Sequence, residues 1–151
     1  MAIAAANRLQ ITEDYYHAAQ IMNHGDTIED ARIAHLFALH SCELGYRPSR
    51  WLEAASYDRW QMHQGKPHKF GTNYVYDGRE DRLWDVDPGT TDEERAKWDV
   101  PPLVEQLRKA QEANRHKIPI SEEEQREFGA HVPEWLRAAM QSWRAEQNNL
   151  E

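Results

Sequence analysis

The amino-acid sequence predicts a mainly α protein, a single-domain helical bundle with a short β-hairpin near residues 73–86. Three observations favour this fold class. The chain has 151 residues, the length of one ordinary domain. Apolar residues recur at helical spacing in several segments that are bounded by capping residues, glycine or proline. Six tryptophans and six tyrosines supply large apolar surfaces for one core, despite a mean hydropathy of -0.93.

The first half of the chain predicts three helices. Thr12 is expected to cap the first helix, which ends at residues 23–25. Thr27 and Asp30 have the spacing of a capping box for a second helix, residues 28–44, whose middle is apolar nearly all round. That pattern is typical of a central helix with neighbours on several sides.

A third helix and a hairpin follow. The helix is predicted over residues 49–64, because Pro48 and Ser49 mark its start and Gly65 ends it. Its predicted buried face consists of Trp51, Leu52, Ala54, Ala55 and Met62. Short apolar and aromatic runs at residues 74–76 and 83–86 then predict two strands around a loop.

The second half predicts shorter helices. Thr91 and Ser121 each precede a glutamate by three residues, as in a capping box. A helix is predicted over residues 103–114, and Pro133 suits the first position of the last helix. The last helix has an apolar face of Trp135, Leu136, Ala139, Met140 and Trp143.

Two parts of the chain are distinguished on this basis. Residues 1–115 are predicted to form a helical core domain that contains the motif described below. Residues 116–151 are predicted to form a C-terminal helical extension that packs on the core. The first three helices resemble one unit of a helical repeat, but no second copy follows.

Composition limits the function. The formal net charge is -8, with 26 acidic and 18 basic side chains, which disfavours non-specific nucleic-acid binding, although local basic patches remain an option. We see no signal peptide and no membrane span, so we predict a cytoplasmic protein. Cys42 is the only cysteine and excludes an internal disulfide. Its apolar neighbours predict a buried, inert thiol.

The richest chemistry lies where the third helix meets residues 65–75, GKPHKFGTNYV. Asp58 falls on the predicted buried stripe, and a buried carboxylate must be paired or change its pKa. It is therefore either a general base or substrate anchor, or a hydrogen-bond hub that ties the loop to the helix. Arg59 is either its charge partner or a ligand group for a carboxylate or phosphate. Candidate ligand-binding groups in the loop are Lys66, Lys69 and Thr72, and His68 is a candidate titrating catalytic group.

The other motifs are weaker. His35 and His40 lie five residues apart and do not share a helix face, so we predict no metal site. His40 is either a core histidine bonded to a backbone carbonyl or a further ligand-binding residue. The loop lacks the Gly-Lys-Ser/Thr ending of a P-loop, and no serine lies in a nucleophile elbow. We predict no cofactor.

The stretch from Trp51 to Arg59, followed by residues 65–73, resembles an uncharacterised bacterial domain family with the pattern A-x-x-x-DR, a short gap and G-x-P-Q-x-Y-G-T-Q. The matching residues are Asp58, Arg59, Gly65, Pro67, Gly71 and Thr72. His68, Phe70 and Asn73 replace the family's Gln, Tyr and Gln. The later segment DVDPGTTDEERAKWDVPPL is also similar, so the likeness covers about residues 12–110. The resemblance implies a mostly helical domain in which the motif residues cluster, and it implies no activity.

Two functional hypotheses follow from the sequence. The first is a small cytoplasmic helical domain that binds a small polar or anionic ligand at the junction of the third helix and the loop. There Asp58 and His68 would be the catalytic groups if the protein is an enzyme. The second is a protein-interaction or homo-oligomerising helical module without catalysis. The predicted partner is thus a small polar molecule or a protein, including a second copy, and not nucleic acid or a membrane.

Overall fold

A computed structural model describes residues 11–151, which form seven helices and one two-stranded antiparallel sheet. The predicted fold class, mainly α with a short hairpin, is confirmed. The elements in chain order are α1 Thr12–Asn23, α2 Ile28–Glu43, α3 Ser49–His63, β1 Tyr74–Tyr76, β2 Asp81–Leu83, α4 Asp92–Lys97, α5 Leu103–Asn114, α6 Glu122–His131 and α7 Glu134–Asn148.

The helix starts follow their capping residues, with one shift. The N-cap of α1 is Ile11, which has extended backbone, and its amide donates to the carboxylate of Asp14 at 3.4 Å. The prediction that Thr12 caps α1 is therefore wrong, because Thr12 already has helical backbone. The capping box of α2 is confirmed: the amide of Asp30 donates to the Thr27 hydroxyl at 3.0 Å, and the Thr27 amide donates to the Asp30 carboxylate at 3.1 Å.

Helices α1, α2 and α3 form the N-terminal layer, in which α2 packs against both neighbours. Its buried residues are small, Ala31, Ala34, Ala38 and Ser41, and small side chains let helix axes approach closely. Leu36 is nevertheless 46% exposed, so one side of α2 is uncovered. On α3 the predicted buried face is correct except for Trp51, which is 43% exposed. Large indole rings are rarely covered entirely, and a residue in the first turn of a helix has fewer neighbours.

The hairpin is shorter than predicted. Its register pairs Tyr74 with Leu83 and Tyr76 with Asp81. The second strand therefore lies two residues earlier than expected, because the carboxylate of Asp77 accepts the amides of Arg79 and Glu80 and tightens the turn. The chain after β2 instead forms a parallel bridge between Val86 and His68, which fixes the loop after α3.

The last helix closes the main core cluster. Leu136, Met140 and Trp143 of α7 pack with three residues from earlier in the chain, Met62, Val75 and Trp84. Pro133 is the N-cap of α7 and not its first helical residue. The division of the chain at residue 115 remains a prediction. None of the helices within residues 11–151 combines the length and apolar character needed to cross a membrane.

Candidate functional site

The carboxylate of Asp58 holds the loop after α3 in place. Asp58 lies on α3 and is fully buried. Its Oδ1 accepts the backbone amides of Lys69 and Phe70 at 2.8 and 3.0 Å. Its Oδ2 accepts the amides of Gly71 and Thr72 at 2.9 and 3.1 Å and the Thr72 hydroxyl at 2.7 Å. Four consecutive amides thus converge on one side chain, which we call the Asp58 clamp.

The outer side of the same loop is held by two further buried side chains. Arg95 of α4 donates through Nε to the carbonyl of Phe70 at 2.8 Å and through Nη1 to the carbonyl of Thr90 at 3.0 Å. Gln106 of α5 donates to the carbonyl of Gly71 at 2.9 Å. Gly71 has a positive φ of 85°, and a Cβ there would lie 3.2 Å from a methyl of Val86. The loop is therefore a buried element whose backbone groups are satisfied from three helices.

Burial and hydrogen bonding act on Asp58 in opposite directions. Burial is the larger influence and raises the pKa of Asp58, whereas the hydrogen bonds from Phe70, Thr72, Lys69 and Gly71 lower it. Every one of these partners is a donor, which suits the ionised carboxylate. No acceptor position is left that faces solvent, so this geometry fits a hydrogen-bond hub better than a general base.

The imidazole of His68 lies beside the clamp and makes no hydrogen bond in the part of the chain that the structure describes. Its side chain is fully buried, and Nδ1 is 3.7 Å from Oδ2 of Asp58. Neither ring nitrogen has a partner within the described residues. Burial lowers the pKa of His68 to about 3, although the charge of Asp85 opposes this. His68 is thus a neutral ring at neutral pH, which does not suit the predicted titrating role.

Arg59 does not pair with Asp58, and it does not line the cavity beside the loop. Its guanidinium donates to the carbonyl of Gly25 at 3.4 Å, and the charge of Asp26 acts on it. Successive helix residues point about 100° apart, so neighbours in sequence face different surroundings. The expected charge pair of Asp58 and Arg59 is therefore wrong, and Arg59 links α3 to the turn before α2.

An open cavity of about 550 Å³ lies between α3, the loop and the start of α4. We call it the loop pocket. Lys66 and Lys69 line it together with Tyr57, Gln61 and Glu94. The Lys69 ammonium is 3.0 Å from the Glu94 carboxylate, whereas the Lys66 ammonium contacts only the Gln64 side chain, at 3.3 Å. Within residues 11–151, Lys66 has no carboxylate partner.

The predicted site residues therefore separate into groups. Lys66, Lys69 and His68 line the loop pocket, while Asp58 and Thr72 lie behind its wall in the clamp. His40 belongs to neither group. It is exposed on α2, where its ring packs edge-on against Tyr15 at 4.4 Å, so the expectation of a core histidine is wrong. It follows Ala38 by two residues and therefore lies off the buried face of α2.

A buried acid for which the sequence predicted no role lies between α3 and α2. The carboxylate of Glu53, on α3, is 3.5 Å from Nδ1 of His35, on α2, and both side chains are nearly covered. Burial raises the pKa of Glu53 to about 7, against the nearby charge of Lys69. Burial also lowers the pKa of His35. Its burial had little signal in the sequence, because the residues one helical turn away are mostly polar, namely Ser49, Arg50, Ser56 and Tyr57.

Cys42 is half-buried on α2, and burial raises the pKa of its thiol to about 11. It is thus less buried than predicted, and it is a poor nucleophile at neutral pH. Within residues 11–151, no group of three His, Cys, Asp or Glu side chains is arranged to hold a metal ion.

Comparison with known proteins gave no relative. No family model, no curated protein and no solved structure matches this chain. The resemblance of the DR…GKPHKFGTN motif to a bacterial domain family therefore remains a prediction. Any function must be argued from the site itself.

Proposed function

We propose that this protein binds a small polar or anionic ligand in the loop pocket, with Lys66 as the anchor for negative charge. The observation that carries the proposal is a lysine that has no carboxylate partner in the described part of the chain and lies on the rim of a cavity whose wall is held rigidly. The cavity volume of about 550 Å³ lies within the range of small-molecule sites.

The wall supports the proposal because it is pre-organised. The Asp58 clamp fixes the four amides from Lys69 to Thr72, and Arg95 fixes the carbonyl of Phe70. Lys69 is further held by its ion pair with Glu94. A ligand would lose little free energy in ordering such a pocket.

The polar groups around Lys66 favour a ligand that carries both an anionic group and neutral hydrogen-bonding groups. Tyr57 and Gln61 line the pocket and can donate or accept hydrogen bonds. Asp87 and Glu94 add negative charge on the other side, which disfavours a polyanion. In this proposal Asp58 and His68 build the site and do not react.

The test is isothermal titration with inorganic phosphate, sulfate and oxalate at constant ionic strength. We expect Lys66→Gln to weaken binding of the best anion by about fivefold, the effect of one partly exposed charge. Lys97→Gln is the matched control, because Lys97 is exposed and lies outside the loop pocket. If the two variants bind the anion equally well, Lys66 is not the anchor.

A protein-interaction module is the second candidate, and one observation favours it. Val104 and Leu107 of α5 are 73% and 48% exposed, close to the half-covered Tyr74, whose hydroxyl donates to the carbonyl of Gln106. The apolar face of α7 does not support this candidate, because Met140 and Trp143 are buried. Light scattering of the wild type and Val104→Glu tests it, since a homo-oligomer formed through α5 would dissociate in the variant.

A further inference from the structure

A second cavity, of about 570 Å³, lies between the end of α3 and α7. His63 lines it from α3 and Trp135 lines it from α7. Trp84 also lines it, and its ring packs edge-on against that of Trp135 with centroids 5.5 Å apart. We call it the Trp135 pocket. Pro67 lines both this cavity and the loop pocket, so the segment after α3 separates the two. The proposal that follows concerns the Trp135 pocket alone and does not depend on the loop pocket.

His63 lines this cavity and has a buried ring nitrogen without a hydrogen-bond partner within the described residues. His63 is only 5% exposed, and its ring stacks on Trp135 with centroids 5.0 Å apart and planes 22° apart. Nδ1 of this ring is buried and has no hydrogen-bond partner among residues 11–151. Burial and the charge of Arg59 lower the pKa of His63. In the neutral ring with the proton on Nε2, Nδ1 is an acceptor that lacks a donor.

The charges around the cavity favour a cation as that donor. Asp85 and Glu134 line it, and none of its described lining residues is a lysine or an arginine. Asp85 pairs with Arg82 at 3.3 Å, and Glu134 pairs with Arg137 at 2.9 Å; neither arginine lines the cavity. Both carboxylates also contact solvent. Trp135 is only partly buried, and the face of an indole ring attracts a cation.

We propose that the Trp135 pocket binds a small organic cation, a primary or secondary ammonium on an apolar body. One ammonium N–H donates to Nδ1 of His63, and the carboxylates of Asp85 and Glu134 provide the negative field. The apolar body packs on the indole of Trp135. The acceptor, the negative charge and the aromatic surface all favour an organic ammonium.

The first measurement is binding of 2-phenylethylammonium to the full chain by isothermal titration, beside the neutral 2-phenylethanol, which has nearly the same shape. We expect the ammonium to bind at least about tenfold more tightly than the alcohol. The anion 3-phenylpropionate is expected to bind more weakly still, because it would meet two carboxylates.

A matched pair of surface variants locates the site. Ser142→Arg places a positive charge on the pocket, since Ser142 lines it and is exposed on α7. Gln141→Arg makes the same charge change at the neighbouring exposed position, outside the lining. We expect Ser142→Arg to weaken ammonium binding by about tenfold or more, and Gln141→Arg by less than about twofold.

The role of His63 has its own variant. His63→Phe keeps an aromatic ring against Trp135 and removes the acceptor. We expect ammonium binding to weaken about fivefold and alcohol binding to weaken less, because a neutral O–H is a weaker donor than an ammonium N–H. Three results would overturn the proposal. They are no ammonium binding at roughly 10 mM, equal binding of ammonium and alcohol, or equal effects of Ser142→Arg and Gln141→Arg.

Discussion

The carboxylate of Asp58 and the hydroxyl of Thr72 form a 2.7 Å hydrogen bond inside the protein, and the same carboxylate oxygen accepts the Thr72 amide at 3.1 Å. Thr72 ends the run of four amides that Asp58 binds, and Lys69 begins it. A carboxylate has about four lone-pair positions, so five donors use its full capacity. The residue that the sequence marks as a candidate base is therefore the structural centre of the site.

Asp58→Asn is expected to lower the free energy of unfolding by about 3 kcal/mol or more, because charge-assisted hydrogen bonds to buried amides are lost. The asparagine amide nitrogen would also face two backbone N–H donors. Urea denaturation measures the change. Asp99→Asn is the control, since Asp99 is exposed and its positive φ of 56° suits asparagine. A loss below about 1 kcal/mol for Asp58→Asn would contradict the clamp.

His68 gives a prediction about pH. Its folded-state pKa of about 3 lies below the ordinary 6.5, so the stabilising effect of the neutral ring is complete above pH 6.5 and is lost as the pH falls toward 3. Phenylalanine fills similar space and does not titrate. Lowering the pH from about 7.5 to about 5 should therefore raise the free energy of unfolding of His68→Phe, relative to that of the wild type, by about 2 kcal/mol.

The measurement for His68→Phe is urea denaturation at both pH values. His116→Phe is the control, because His116 is exposed. It should follow the pH dependence of the wild type. Parallel pH dependences of the wild type and His68→Phe would show that His68 becomes protonated in the folded protein without penalty.

The local sequence predicted the elements well, because capping and helical spacing are properties of neighbouring residues. The boxes at Thr27 and Ser121 form as expected. The inward position of Asp58 also followed from its spacing to Ala54, Ala55 and Met62. Strand β2 was misplaced by two residues, because the turn at Asp77 depends on side-chain hydrogen bonds that a short apolar run does not reveal.

The partners of the site could not be predicted in the same way. Arg95 and Gln106 reach the loop across 25 and 35 residues of chain. Arg95 lies in an acidic, polar helix with little sign that it is buried. Arg59 adjoins Asp58 in sequence, and a charge pair between them was one of two expectations, but helix geometry turns Arg59 toward Gly25. Long-range packing decides these contacts, and one sequence carries little information about it.

For Glu53 we expect a pH dependence of stability opposite to that of His68. Its folded-state pKa of about 7 exceeds the ordinary 4.5, so the folded protein keeps a proton that the unfolded chain releases between these values. The free energy of unfolding therefore falls as the pH rises through this range. Glu53→Gln removes the effect. Raising the pH from about 4.5 to about 8 should raise the free energy of unfolding of Glu53→Gln, relative to that of the wild type, by about 2 kcal/mol after allowance for solvent screening.

The control for Glu53 is Glu43→Gln. Glu43 also lies near a histidine, with its carboxylate 3.7 Å from Nδ1 of His40, but its side chain is 65% exposed. An exposed pair of this kind contributes little, so this variant should show the pH dependence of the wild type. If Glu53→Gln also follows the wild type, the Glu53 carboxyl ionises in the folded state as it does in water.

Arg95 gives the last prediction, because it completes the loop that Asp58 begins. The amide of Phe70 donates to Asp58, and its carbonyl accepts from Arg95. Arg95→Leu would leave the carbonyls of Phe70 and Thr90 buried without a donor, at a cost of about 2–4 kcal/mol in the free energy of unfolding. Arg95→Lys should recover only part of this loss, because one ammonium cannot reproduce the spread of a guanidinium. Urea denaturation of both variants measures whether the free energy of unfolding decreases from the wild type to Arg95→Lys to Arg95→Leu.

Arg115→Leu is the matched control for Arg95→Leu. Arg115 is 65% exposed and pairs with Glu112 at 3.2 Å three residues earlier, so its loss should change the free energy of unfolding by about 0.5 kcal/mol or less. Arg95→Leu should also weaken anion binding in the loop pocket, because Thr90 lines that pocket and is held by Arg95. If Arg95→Leu has the same free energy of unfolding as the wild type, Phe70 and Thr90 keep their positions without Arg95. The Asp58 clamp alone would then define the site.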